Sequence, residues 1–276
     1  MMRIPAGKLL FRSLSIALLL LAASAASAAP LQYEFDYVFD GGTQDTLNED
    51  DYGNTWNYTI VDPDLGPYTV SITSWSDEGF VDLDSTLNAA SGVELGNGLG
   101  VCNDSEGSSV AQCSGQAGRR NIDNRNGHDW VLIMLPEVMR IDTLTITPEG
   151  NRERDVTYFT GWLDTDEQNL AGVSYNDLTG AIAGGGLNMT RYDAYYSRST
   201  QPQIIDLYAN AGNTEVWGNA VLLGASMLDD GERFRITSMS TSVPVPASAW
   251  LFLSALGLFF WRGQRTRRVR LTAAYA

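Results

Sequence analysis

DWVLIMLPEVMRIDTLTITPEG, residues 129–150, is the stretch on which the fold turns. Its first eight residues, DWVLIMLP, form the most apolar run between the two termini. They read as a buried strand ended by Pro136, because proline donates no ladder hydrogen bond and restricts the residue before it. RIDTLTITPEG then reads as a second strand. Ile141 stands near its start, and Leu144 and Ile146 fall one residue out of simple alternation.

Outward from this stretch the same pattern recurs. LQYEFDYVF (31–39) alternates aromatic or apolar residues with mostly polar ones over nine positions, the period of a strand with one buried face. WNYTI (56–60), YTVSITSW (68–75), DVTYFTGWLD (155–164), QIIDLYA (203–209), EVWGNAVLLGAS (215–226) and RFRITSMS (233–240) extend the series. NAVLLGASML has some helical character, but the flanking VWG and Gly224 favour a strand. No long segment repeats at 3.6 residues with clean caps. Residues 76–128 are rich in Gly, Asn, Ser and Asp, and so long a connection is expected to hide short strands or bound ions. Many short strands with glycine-rich turns predict an all-β chain, an antiparallel β-sandwich with the jelly roll among its forms.

Both ends differ from this middle. Residues 1–28 carry Arg3, Lys8 and Arg12, then the apolar LSIALLLLAASAASA, and Ala26-Ser27-Ala28 fits a small-residue cleavage site: a secretory signal peptide. Residues 29–241 form the expected acidic ectodomain and residues 242–276 a separate tail. From Ala247 to Trp261 no residue is charged. As a helix this run spans about 22 Å, against a hydrocarbon core of roughly 30 Å. Starting from Val243 lengthens it, with Pro244 and Pro246 at the entrance, where helical N–H groups lack partners anyway. Arg262, Arg265, Arg267 and Arg268 follow and would be retained on the cytoplasmic side. The tail thus reads as a transmembrane helix, with the ectodomain outside the cytoplasm.

Three basic residues lie in 1–28 and five in 247–276, so only ten of the 18 Lys and Arg face all 33 acids, a formal charge of −23. Such a surface repels nucleic acid. It suits divalent cations, basic partners or plain solubility outside the cell. Cys102 and Cys113 are the only cysteines, and in an exported chain this spacing favours a disulfide. Asp82 and Asp84 in FVDLDS, with Asp123 and Asp129 in NIDNRNGHD, are candidate ligands for structural Ca2+, which takes six to eight oxygens. No stretch has EF-hand spacing, and no organic cofactor motif is present. His128 is the only imidazole. A hydrolase could pair it with Ser105, Ser108, Ser109 or Ser114, but no GxSxG motif accompanies it. Trp75, Trp130, Trp162, Tyr192, Tyr195 and Tyr196 are candidates for stacking on sugar rings, and RYDAYYSRS adds arginines for an acidic polysaccharide.

VPVPASAWLFLSALGLFFWRGQRTRR resembles the PEP-CTERM class of C-terminal sorting signals in its VPLPA-type variant. Val243, Pro244, Val245, Pro246 and Ala247 match the motif, with Val245 where the class usually has Glu. The resemblance implies export in a Gram-negative bacterium that makes exopolysaccharide, passage through the inner membrane, and processing near the motif by an exosortase-like membrane enzyme. A second resemblance is to exosortase-dependent surface proteins with a sandwich domain. It is carried by GLGV (98–101), the IDN segment (122–124) and Asp129 opening an apolar strand. The expected protein is an exported, non-enzymatic component of the cell surface or extracellular matrix. The alternatives are a lectin-like module binding exopolysaccharide and a secreted hydrolase.

Overall fold

The computed structural model describes residues 32–38, 43–45, 55–62, 66–77, 85–94, 98–103, 121–124, 127–151, 154–164, 169–179, 187–228 and 231–244. The chain divides into two compact units, Met1–Tyr33 with Pro244–Ala276, and Glu34–Val243. The second holds almost all the described structure.

In chain order its elements are β1 (Gln32–Val38), β2 (Thr43–Asp45), β3 (Thr55–Asp62), β4 (Gly66–Ser76), β5 (Asn88–Glu94), β6 (Leu99–Cys102), β7 (Ile122–Asp123), β8 (Asp129–Pro148), β9 (Val156–Gly161), α1 (Tyr175–Leu178), β10 (Thr190–Ala194), β11 (Gln203–Asp206), α2 (Leu207–Asn210), β12 (Trp217–Ala225) and β13 (Arg233–Pro244). The chain is all-β, and every strand pair with a defined register is antiparallel. Ten of the thirteen described strands run in one hydrogen-bonded path, β10-β9-β12-β8-β13-β6-β5-β4-β3-β2, while β1 and β7 pair with β13 and β11 with β8. The path returns on itself. The first half of β8 pairs with β4, Trp130 opposite Trp75, and its second half pairs with β13. β5 and β6 link β4 back to β13, which closes the ring.

Pro136 does not end the strand that begins at Asp129. β8 continues for 20 residues, and Pro136 sits where its ladder with β12 skips, between Met134 opposite Ala220 and Met139 opposite Gly218. No ladder partner is needed there, so the missing N–H costs nothing.

The apolar run is explained by burial on both faces, the condition under which strands lose their alternation. Val131, Ile133 and Leu135 enter one apolar cluster with Val70, Ile72, Val221 and Leu223. Trp130, Leu132 and Met134 enter a second, with Trp75, Phe159 and Leu222. That second face is roofed by Leu163, Leu170, Tyr175, Leu178 and Met189. The roof is tied down by backbone bonds from Leu87 to Val173 and from Met189 to Leu178. Gly224 makes this packing feasible: a Cβ there would stand 2.5 Å from the Trp130 ring.

The slip in alternation after Ile141 is a β-bulge. Ser240 of β13 faces Thr143 and Thr241 faces Ile141, so Asp142 is the extra residue. A bulge re-aims side chains and bends the strand. Below it Met139 and Ile141 are buried, and beyond it Leu144 and Ile146 return to the same core.

The polar stretch 76–128 does hide strands: β5, β6 and β7. Sequence periodicity could not show the two helices among the described residues, since each is a single turn. α1 is nonetheless fully capped. Ser174 Oγ accepts from the Asp177 N–H (3.2 Å), and the Asp177 carboxylate accepts from the Ser174 N–H (3.0 Å), a reciprocal capping box.

Candidate functional site

Three polar assemblies stand out on this frame. The first gathers the segments that carry the second family resemblance. Asp129, fully buried at the start of β8, accepts from Asn103 Nδ2 (2.9 Å) and from the Asp123 backbone N–H (3.3 Å). Asp123 faces Arg233 Nε at 3.4 Å, and Arg233 Nη1 reaches Glu149 at 3.3 Å. Asn124 donates to the Glu232 carboxylate and accepts from Gly231 N–H (3.0 Å). Gly98 begins the neighbouring GLGV segment at φ +126°, with the Ile236 carbonyl 2.7 Å from where a Cβ would stand, so no side chain fits. IDN and Asp129 therefore meet in one buried knot, joined by Asn103 two residues beyond GLGV, while Gly98 itself packs against β13. Its bonds fasten the ends of β6, β7 and β8 to β13.

The candidate calcium ligands divide. Asp123 and Asp129 are brought together, but N–H donors already point at Asp129 and a guanidinium at Asp123. Among the described residues no group of three or more His, Cys, Asp or Glu is placed to hold a metal ion. Asp82 and Asp84 lie outside the described residues, as does Cys113. Cys102 ends β6, buried and without a free thiol. Val243 and Pro244 form the end of β13. Val245, Pro246, Ala247 and Arg262, Arg265, Arg267 and Arg268 lie outside the described residues, and so do the signal peptide and the apolar tail. Among the described residues no helix is long and apolar enough to cross a membrane.

The second assembly contains the sole imidazole. His128 is 5% exposed. Its backbone N–H (2.9 Å) and Nδ1 (3.2 Å) both lie on one oxygen of Asp77, while the Tyr175 hydroxyl donates to the other. Burial opposes the charge on Asp77, but the hydrogen bonds from His128 and Tyr175 outweigh it and hold the carboxyl below its ordinary value. Burial, then the adjacent Asp77 charge, pushes the Tyr175 phenol well above its ordinary range. The Tyr175 ring meets Trp130 at 5.3 Å and Phe159 at 6.3 Å. This cluster joins the end of β4, the start of β8 and α1. The serines proposed as nucleophiles lie outside the described residues.

The third assembly is an open groove of about 430 Å³ beside the second half of β8. Arg140, Asp142 and Thr143 come from β8 at its bulge, Asp206 and Tyr208 from the β11–α2 corner, and Glu215 from the approach to β12. Arg140 donates through Nε to Asp142 (2.5 Å) and through Nη1 to Glu215 (3.4 Å). Asp206 caps α2, accepting from Ala209 N–H at 3.0 Å. Trp217 stands opposite Arg140 in the ladder and donates from Nε1 to Glu215 (3.1 Å). Tyr208 is 47% exposed and Trp217 36%.

Of the aromatics proposed to stack on sugars, Trp75 and Trp130 are fully buried core residues. Tyr192 stacks on Tyr158 at 5.2 Å, and Tyr196 packs against the first cluster. Trp162 and Tyr195 are exposed. Arg191 of RYDAYYSRS is paired with Asp193 at 3.0 Å. The groove, its Tyr208 and the neighbouring Trp217 were not legible in the sequence. The one signal for it was the broken alternation at Ile141–Leu144, which marks the bulge that supplies Asp142.

No family model matches the chain, and no curated protein is similar to it. One solved structure, a rhamnosidase from Klebsiella oxytoca with rhamnose bound, aligns at a TM-score of 0.32 and 7% identity. The alignment covers 81% of this chain and 31% of that one, so the chain spans about a third of its length.

Proposed function

We propose that this is an exported, non-enzymatic protein of the cell surface or extracellular matrix, delivered through the inner membrane and processed by an exosortase-like enzyme at Val243–Ala247. The observation that carries the non-enzymatic reading is the state of His128. The one imidazole in the chain is buried and spent on positioning Asp77 and, through it, Tyr175. A general base must instead reach a substrate proton. The knot at Asp129 supports the same reading, because IDN and Asp129 converge on a buried fastening. A disulfide between Cys102 and Cys113 belongs to this proposal, closing the polar loop beyond β6. So does a sandwich of jelly-roll kind, read as the closed ring flattened over one apolar cluster that gathers side chains from β3, β4, β6, β8, β9, β12 and β13.

Intact-mass measurement of the protein from its native host tests the sorting reading. A product ending near Pro244–Ala247 supports it, and a chain running on to Ala276 refutes it in favour of a permanent anchor. The second reading, a lectin-like module for exopolysaccharide, is favoured by the groove at Arg140, where polar side chains sit beside exposed aromatics. A hydrolase would have to use the groove's carboxylates. Release of reducing ends from a bound polysaccharide, abolished by Glu215→Gln, would replace both readings with that one.

A further inference from the structure

The geometry points to the groove between β8, the β11–α2 corner and the start of β12 as a binding site for a neutral saccharide. This rests on the lectin-like reading above and gives it a place and a ligand class. Sugar sites combine an aromatic surface for the C–H face of a ring with fixed polar groups for its hydroxyls. Tyr208 lines the groove, and Trp217 stands beside two of its lining residues, opposite Arg140 in the ladder and bonded to Glu215; both aromatics are exposed. The same groove holds acceptors that are already fixed in position. Arg140 fixes Asp142 and Glu215, the Trp217 indole also holds Glu215, and Asp206 is held by the cap of α2. Carboxylates so positioned accept from vicinal hydroxyls, and Arg140 can donate to a ring or hydroxyl oxygen.

Charge selects the ligand. Asp142, Asp206 and Glu215 stand against Arg140 alone, and the surrounding ectodomain is strongly acidic. A uronate or other anionic polymer is therefore repelled. The expectation that an acidic polysaccharide would meet the arginines of RYDAYYSRS is weakened in the same way, since Arg191 is committed to Asp193. A bare cation is disfavoured because Asp142 and Glu215 share the Arg140 guanidinium.

The test uses the exported protein and three polymer classes: neutral (mannan, dextran and maltohexaose), anionic (alginate) and cationic (chitosan oligomers). Binding is followed by calorimetry and tryptophan fluorescence in low and physiological salt. The expected result is saturable binding of a neutral glycan, little changed by salt. Trp217→Ala and Tyr208→Ala should each weaken it at least tenfold, while Trp162→Ala, an exposed tryptophan that does not line the groove, should leave it intact. Neutral binding that survives both groove variants refutes this site and leaves the lectin-like reading standing. Binding of alginate or chitosan alone refutes the neutral-ligand assignment. No binding across the panel refutes site and lectin-like reading together. Circular dichroism of each variant confirms that a lost signal reflects the groove and not the fold.

Discussion

Replacing Asp77 with alanine should cost more stability than its size suggests. The side chain is almost completely buried and is the shared acceptor for three donors: the His128 backbone N–H at 2.9 Å, His128 Nδ1 at 3.2 Å and the Tyr175 hydroxyl. A buried donor stripped of its acceptor costs about 1–3 kcal/mol. The three donors share one site and relax together, so their costs do not sum, and we expect a loss of about 3 kcal/mol. For a unit of this size that is a fall of roughly 6–12 °C in melting temperature. Tyr175→Phe removes one hydroxyl but keeps the ring against Trp130 and Phe159, and should cost about 1 kcal/mol. The pH dependence has a definite sign. The folded Asp77 carboxyl lies below its ordinary value of 3.8. Its contribution is therefore complete above that value and is lost as pH falls through the lowered folded one. Asp77→Asn lacks this component, so its deficit against wild type should shrink on acidification below about pH 4. Urea unfolding at several pH values, followed by tryptophan fluorescence, measures both effects. An Asp77→Ala protein within about 0.5 kcal/mol of wild type, or an Asp77→Asn deficit constant with pH, would refute the role assigned to this cluster.

Other perturbations probe the remaining elements. Gly224→Val pushes a branched side chain into the Trp130 ring and should destabilise by about 1–3 kcal/mol through overpacking; an unchanged urea midpoint would contradict the two-faced burial of β8. Cys113→Ser should lower stability by about 2–3 kcal/mol, and thiol alkylation of the unreduced, unfolded wild type should label neither cysteine. Asn103→Ala takes a donor from buried Asp129 and should cost about 1–3 kcal/mol, measured by the same unfolding assay. In a calorimetric titration, any calcium heat should survive Asp123→Asn, because Asp123 already faces the Arg233 guanidinium; heat abolished by Asp129→Asn in a folded protein would reverse that view.

The strand content was legible because its cause is local. Alternation in YTVSITSW and the apolar run DWVLIMLP are printed in adjacent letters, and both became strands. The run's meaning needed the fold: it is apolar because Phe159 and Tyr175 cover one face while Ile72 and Leu223 cover the other. Pro136 misled because its usual effect, ending a strand, disappears where the partner ladder skips. α1 and α2 were invisible because four residues make one turn and no period. Trp75 and Trp130 looked like Trp162, since a side chain's exposure depends on which strand arrives beside it.

The segments that define the assemblies show the division most clearly. Chain composition, the apolar tail with its arginines, the cysteine pair and the strand periodicity are properties of short stretches, and they alone argued for an exported acidic β protein. The meeting of Asn103, Asp123 and Asp129, and of Arg140 with Glu215 and Trp217, joins residues up to 77 positions apart. Such contacts are set by strand order, by the bulge at Asp142 and by the closure of the sheet through β8. These are free-energy choices of the whole chain, made when both faces of one strand are buried at once, and no window of sequence contains them.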